Sequence, residues 1–376
     1  MVGLSTLDFQ QFPYVPLLSA RVAEVQGYRE LQTSDKRRLL PTFRIERYGN
    51  GIDLNVSIRR VVIAAEGRPF ILDLDRTPGR PSVSRSKPEY AEQVHKAATY
   101  NSYLTNLSAP ANGFANWRAM CLSAPNAIPC ALLCGPTAEF ERQVREMHAQ
   151  VGKVAVRVRP ADPNVDLLFD FFSGFGAARD ILVIVDLEDV SGRANAAARD
   201  FEVVRNSIRK RLSRGFFQNL NIVCAGTSFP RNFSAGYQRL SIDEVSVFEA
   251  VGGHSTALYG DYGSVAAGER APSGARWVAR VDGPMDTEWC QYRATEPGVS
   301  RDYVTCAQKL ILAGDWKSVP GLWGSDAITA ARSGSIKGMG TPQKWIAVRV
   351  NIHLYRQLRR TSRAGTAERI PSKGAA

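Results

Sequence analysis

The chain has 376 residues, 44% of them hydrophobic and 22% charged, with a formal net charge of +12. That composition is one of a soluble globular protein with a substantial core, and it excludes disordered, collagen-like and disulfide-stapled classes. No apolar run approaches the roughly 20 residues that a spanning helix needs, so no membrane partner is expected. The opening MVGLSTLDFQQFPYVPLL has no basic segment leading into a long apolar one, and its six cysteines are scattered without a C-x-x-C pair. Both features set the expectation of reduced thiols and a cytoplasmic setting. The surplus of Lys and Arg points toward a polyanionic partner, a nucleotide or nucleic acid, wherever the charge proves to be clustered.

In chain order, Tyr14–Leu18 is a first strand, and Val22–Leu31 a helix with Val25, Tyr28 and Leu31 at helical spacing. Leu40–Glu46 is a second strand ending in Arg44 and Glu46. Ile58–Ala65 is a helix stopped by Gly67, and Phe70–Asp75 a third strand ending in Asp73 and Asp75. Arg76–Pro88, rich in Pro, Ser and Arg, is a loop, followed by a helix to about Leu107 and a small-residue stretch to Pro125. Ala127–Cys134 is the fourth strand. Thr137 caps a helix whose buried face is Phe140, Val144, Met147 and Val151, and Val154–Arg159 is a fifth strand ending in Arg157 and Arg159. A helix over Val165–Phe172 leads to the sixth strand, Ile181–Val190, whose apolar run breaks into Asp186, Glu188 and Asp189. Ala196–Leu212 is an amphipathic helix carrying Arg199, Arg205, Arg209, Lys210 and Arg211. Asn221–Gly226, a helix over Ile242–Val251 and a weak strand near Ala257–Gly260 complete the series.

Strands alternating with helices predict an α/β protein of repeated right-handed βα units, a (β/α)₈ TIM-barrel-like fold. The eighth strand closes near residue 260, which suits a barrel of about 250 residues. An open dinucleotide-binding sheet would need a glycine-rich turn after the first strand, and L-L-S-A-R-V-A-E supplies none. The expected division is a barrel over 1–262, a C-terminal α-rich extension over 263–360 and a basic, disordered tail over 361–376. Within the extension, Arg276–Val281 is expected as a strand, with helices over Asp302–Ala313 and Gln343–Arg360.

Barrel active sites collect at the C-terminal strand ends. Charged residues two apart on a strand share a face, so the pairs at four strand ends are expected to converge on the mouth. Arg44, Arg157 and Arg159 oppose Glu46, Asp73, Asp75, Asp186, Glu188 and Asp261, which leaves an expected excess of acid. Asp73, Asp75, Asp186 and Glu188 could hold Mg²⁺ or Mn²⁺, and Glu46, Asp73, Asp186 and Asp261 are the candidate catalytic carboxylates. Arg44, Arg157, Arg159, Ser228, Tyr262 and His353 are the candidate ligand contacts. The chemistry expected is binding of a phosphate-bearing ligand, with metal-assisted phosphoester hydrolysis as the reaction open to it; whether the protein is an enzyme stays open. The alternative is a non-catalytic module that binds nucleic acid or protein. Glycoside hydrolysis would also use paired carboxylates, but few aromatics accompany them, and Ser228 lacks the G-x-S-x-G elbow of serine hydrolases.

F-P-Y-V-P-L-L, the G-Y-R-E-L helix, L-L-P-T-F-R-I-E, F-I-L-D-L-D, G-T-S-F-P, Y-G-D-Y and N-I-H-L-Y-R-Q-L together resemble the beta-protein family of phages and prophage-bearing bacterial genomes. The resemblance covers roughly residues 12–360. It implies a barrel-like fold and a phage or phage–host-conflict context, and it touches Arg44, Glu46, Asp73, Asp75, Ser228, Asp261, Tyr262 and His353. It implies no activity and assigns none of these residues a role.

Overall fold

The computed structural model describes residues 3–47, 51–81, 83, 85–173, 175–268, 277–297 and 300–367. Eight parallel strands form one sheet in the order β1 (Leu17–Ser19), β2 (Thr42–Ile45), β3 (Phe70–Leu74), β4 (Ala127–Ala131), β5 (Val154–Val158), β6 (Ile181–Asp189), β7 (Asn221–Thr227) and β9 (Leu258–Asp261). Tyr14 closes the ring by bridging both Leu39 and Tyr259, and Val15 N–H donates to the Tyr259 carbonyl at 2.8 Å. The α/β barrel expected from the alternating pattern is therefore present.

Strand parity divides the core in two. Leu17, Ile71, Ile128, Ala155, Leu182, Ile184, Val223 and Leu258 fill the barrel interior, with Leu7, Phe9 and Phe12 of the N-terminal segment packed into the same cluster. The alternate positions, Phe43, Phe70, Leu72, Val156, Val183 and Val185 among them, face the helical layer. Both faces of each strand are thus buried, which is why the strands read as continuous apolar runs. The helices obey their patterns in turn. In α6 (Thr137–Val151), Phe140, Val144 and Met147 are buried, and Gly152 ends it with a φ of 79° and its N–H on the His148 carbonyl.

Several elements depart from the sequence-based reading. Ala111–Leu122, read as part of a small-residue stretch, is helical apart from Asn112, Gly113 and Phe114, whose φ angles of 53°, 63° and 55° are left-handed. β8 (Gly236–Ser241), β10 (Arg280–Pro284) and β11 (Glu288–Arg293) form a separate antiparallel sheet in the order β10-β11-β8, so the loop after β7 is tied to the C-terminal extension. The strand expected over Arg276–Val281 starts later, at Arg280, and Arg276 lies outside the described residues. Trp323–Arg332 (α12) is an additional helix. The last helix, α13 (Pro342–Ala367), runs past Arg360 into the tail expected to be disordered; residues 368–376 lie outside the described residues.

α13 packs directly on the barrel's first helix, α1 (Val22–Arg29). A Cβ at Gly27 would lie 2.8 Å from the Ala347 carbonyl oxygen and from Val350 Cβ, so glycine sets the approach of the two helices. Asn351 joins three helices: its Nδ2 donates to the Gly27 carbonyl at 3.0 Å, and its Oδ1 accepts from Gly324 N–H of α12 at 2.9 Å. Among the described residues no helix is long and apolar enough to cross a membrane.

Candidate functional site at the barrel mouth

Inward-facing positions at the C-terminal strand ends build the site. At its floor Arg157 lies between two carboxylates. Its Nε donates to Asp73 Oδ2 at 2.7 Å and its Nη1 to Asp186 Oδ2 at 3.0 Å. Tyr262 OH donates to Asp186 Oδ1 at 2.6 Å. Burial pushes the Asp186 carboxyl up, but Arg157 and the Tyr262 hydrogen bond outweigh it and hold Asp186 below its ordinary range. The Tyr262 phenol is pushed well above its usual value by burial and by the Asp186 charge, so it stays a donor.

Above this floor, Arg44 stacks its guanidinium 5.2 Å from the centre of the Tyr262 ring, and its Nη2 donates to Ser19 Oγ at 3.0 Å. Glu46 is paired with Arg21, whose Nη2 donates to it at 2.6 Å. Arg159 Nε lies 3.2 Å from Glu188. Glu188 occupies a bulge where the β6–β7 register shifts, with a φ of 56°. That left-handed conformation is costly for a non-glycine residue and turns the strand end at the mouth.

These groups line a cavity of about 800 Å³. Its far wall is the segment Arg76–Pro81, which is anchored at Gly79: Asn101 Oδ1 accepts from Gly79 N–H at 2.6 Å, and Asn101 Nδ2 donates to the Gly79 carbonyl at 3.2 Å. Arg47 Nη2 donates to the Arg80 carbonyl at 3.0 Å, and its guanidinium lies 5.8 Å from the Tyr100 ring centre.

The charge balance is the reverse of the one expected. Among the described residues seven arginines and four carboxylates line the cavity, and with the two carboxylates bound to Arg157, Asp73 and Asp186, the formal excess is one positive charge. The sequence shows Asp73 and Asp186 as acid available to a ligand, but both are buried, do not line the cavity and share the one guanidinium of Arg157. Asp261 is not at the mouth. It sits one residue before the inward-facing Tyr262, so strand parity turns it toward the helical layer. There Tyr14 OH lies 2.6 Å from its Oδ1 and His353 Nε2 lies 2.8 Å from its Oδ2. Ser228 and His353, expected as ligand contacts, belong to that buried outer network as well. Ser228 N–H donates to Glu244 at 2.9 Å, and Trp289 stacks on His353. Burial pushes the Glu244 carboxyl up to about 8.

The acidic set proposed for Mg²⁺ or Mn²⁺ does not fit a cation. Asp186 has both oxygens engaged, Asp73 accepts from Arg157 and from Leu74 N–H, and Asp75 Oδ1 accepts from Thr77 N–H. Among the described residues no three His, Cys, Asp or Glu side chains converge as a metal site.

A family model described as Beta protein matches residues 14–359. The chain belongs to the Beta protein family. It is also 26% identical over 361 residues to Protein beta of Enterobacteria phage P4, a match covering 93% of this chain and 94% of that protein. No solved structure matches the chain. The family match spans both the barrel and α13, so the closed ring and the extension bound to it fall within one family unit.

Sequence reasoning missed Arg21, Arg47, Arg76 and Arg80, which lie in loops outside the two-residue strand spacing. The arginine content of the Arg76–Pro88 loop was the available signal. The two basic clusters also differ in kind. Arg356, Arg359 and Arg360 are engaged internally, by the Lys317 carbonyl, Asp35 and Gln357 respectively. Arg199, Arg209 and Lys210 of α8 (Ala194–Arg211) are exposed, and Arg211 reaches Asp166 at 3.1 Å.

Proposed function

We propose that the barrel mouth binds a phosphate-bearing ligand, a nucleotide or a nucleic acid. The observation that carries this reading is the excess of arginine around the cavity. Arg44, Arg47 and Arg76 form no ion pair among the described residues, whereas Arg21, Arg157 and Arg159 each face a carboxylate. Guanidinium groups match phosphate oxygens in geometry and keep their charge at every physiological pH. Arg44 is held by Ser19 and the Tyr262 ring without being neutralised, so its position is fixed while its charge remains available.

The proposal is one of binding, and no reaction is assigned to the site. Six free cysteines support a cytoplasmic setting for it. Isothermal titration calorimetry with adenosine monophosphate at low salt tests the reading. Wild-type protein is expected to bind, and Arg44→Gln to bind at least roughly tenfold more weakly, the loss of one charge-assisted contact worth about 1.5–3 kcal/mol. Equal affinity of the two proteins, or no binding by either, contradicts it.

A further inference from the structure

The mouth is closed below. Leu17, Ile71, Ile128, Leu182, Ile184 and Leu258 pack the barrel interior, so nothing passes through the ring and a ligand enters and leaves from one side. Arg44 and Arg47 line the cavity and form no ion pair among the described residues. A guanidinium with no carboxylate partner keeps its charge for an incoming anion. Both side chains are otherwise fixed, Arg44 by Ser19 and Tyr262, and Arg47 by the Arg80 carbonyl and Tyr100. Two held guanidinium groups without an ion-pair partner, in a cavity that seven arginines line, suit an anion that carries more than one charge.

An internal phosphodiester brings one negative charge and extends chain in two directions, which suits a pocket closed below and walled by Arg76–Pro81 less well than a chain end does. A phosphate monoester brings close to two charges at neutral pH and only one direction of attachment. The volume of about 800 Å³ lies within the range for a small organic ligand. Resting on the phosphate-binding reading above, we infer that the mouth recognises the terminal phosphate monoester of a small molecule of nucleotide size, seated on Arg44 and Arg47, and discriminates against phosphodiesters.

Calorimetry on the full chain with four probes tests this: adenosine 5′-monophosphate, adenosine, adenosine 3′,5′-cyclic monophosphate, and a ten-nucleotide thymidine oligomer with 5′-hydroxyl and 3′-hydroxyl ends. The monoester is expected to bind, and the cyclic diester and the oligomer to bind at least roughly tenfold more weakly. Adenosine is expected to show no binding. The monoester's second ionisation lies near pH 6, and arginine does not titrate in this range. Affinity for the monoester should therefore fall about tenfold between pH 7.5 and pH 5 as the dianion is lost. Arg47→Gln should weaken the monoester and narrow its advantage over the cyclic diester, while Arg209→Gln on the exposed face of α8 should change neither. If the diester or the oligomer binds as tightly as the monoester, or affinity is flat from pH 7.5 to pH 5, the inference fails while phosphate binding at the mouth stands. If no phosphate-bearing probe binds, both fail.

Discussion

Replacing Arg157 with methionine tests whether the floor of the mouth is an ion-paired layer. The side chains of Arg157, Asp73 and Asp186 are 15%, 5% and 0% exposed, so solvent screens their contacts little. Arg157→Met would leave Asp186 with the Tyr262 hydroxyl, Glu188 N–H and the half-exposed Arg159 at 3.9 Å, and Asp73 with Leu74 N–H. Removing one partner from a buried ion pair typically costs about 3–5 kcal/mol, because the remaining charge stays desolvated. The pH dependence gives the mechanism its signature. In the wild type the folded-state pKa of Asp186 is depressed, so its stabilisation is present above the unfolded-state pKa and is lost as pH falls through the folded value. Without Arg157, burial dominates and raises that pKa, and the sign inverts: the penalty is full near neutrality and is relieved as the carboxyl takes up a proton. The difference between the two proteins should therefore shrink from about 3–5 kcal/mol at pH 7 toward low values near pH 4. Guanidinium denaturation followed by tryptophan fluorescence at several pH values measures this. Combining Arg157→Met with Asp73→Asn and Asp186→Asn should recover much of the loss. A cost below about 1 kcal/mol at pH 7, or one independent of pH, would refute the reasoning.

Glu244 gives an opposite pH slope. Its folded-state pKa, raised to about 8, means that its contribution is full below the unfolded value and is lost as pH rises toward 8. Wild-type stability should thus decline on the order of 4 kcal/mol between about pH 5 and pH 8 relative to Glu244→Gln, and parallel denaturation profiles of the two would count against it. Gly27→Ala should cost about 1–3 kcal/mol by overpacking α1 against α13. In contrast, Gly215→Ala on the exposed helix α9 (Arg214–Asn219), where a Cβ meets nothing, should be neutral or stabilising in the same thermal melts. Equal losses at both glycines would remove the close-approach explanation.

The barrel was legible because its strands announce themselves. Runs such as Ile181–Val185 are buried on both faces, and the helix between β4 and β5 displays its apolar stripe and glycine stop. Tyr14, which closes the ring, falls within the first apolar segment. The antiparallel sheet was hidden because no residue of β8 is fully buried, and Gly236–Ser241 carries neither an apolar run nor a clean alternation. The i, i+2 spacing singled out Arg44, Glu46, Asp75, Arg157, Arg159 and Glu188, all of which line the cavity, since strand parity carries that information. It failed at Asp261, where the eighth barrel strand is too short to show which residue faces inward. It also could not weigh depth. Asp73 and Asp186 have the right facing but are buried and do not line the cavity, and Arg157 bonds to both. The loop arginines that reverse the balance come from segments with no periodicity to read.

The most direct test of the mouth as a phosphate site is a crystal structure with tungstate, a phosphate mimic whose metal gives strong anomalous scattering. An anomalous peak is expected at the C-terminal end of the barrel, within hydrogen-bond reach of Arg44 and Arg47, and it should disappear in Arg44→Gln crystals. Peaks confined to the exposed arginines of α8, or a mouth left empty while other sites fill, would contradict it.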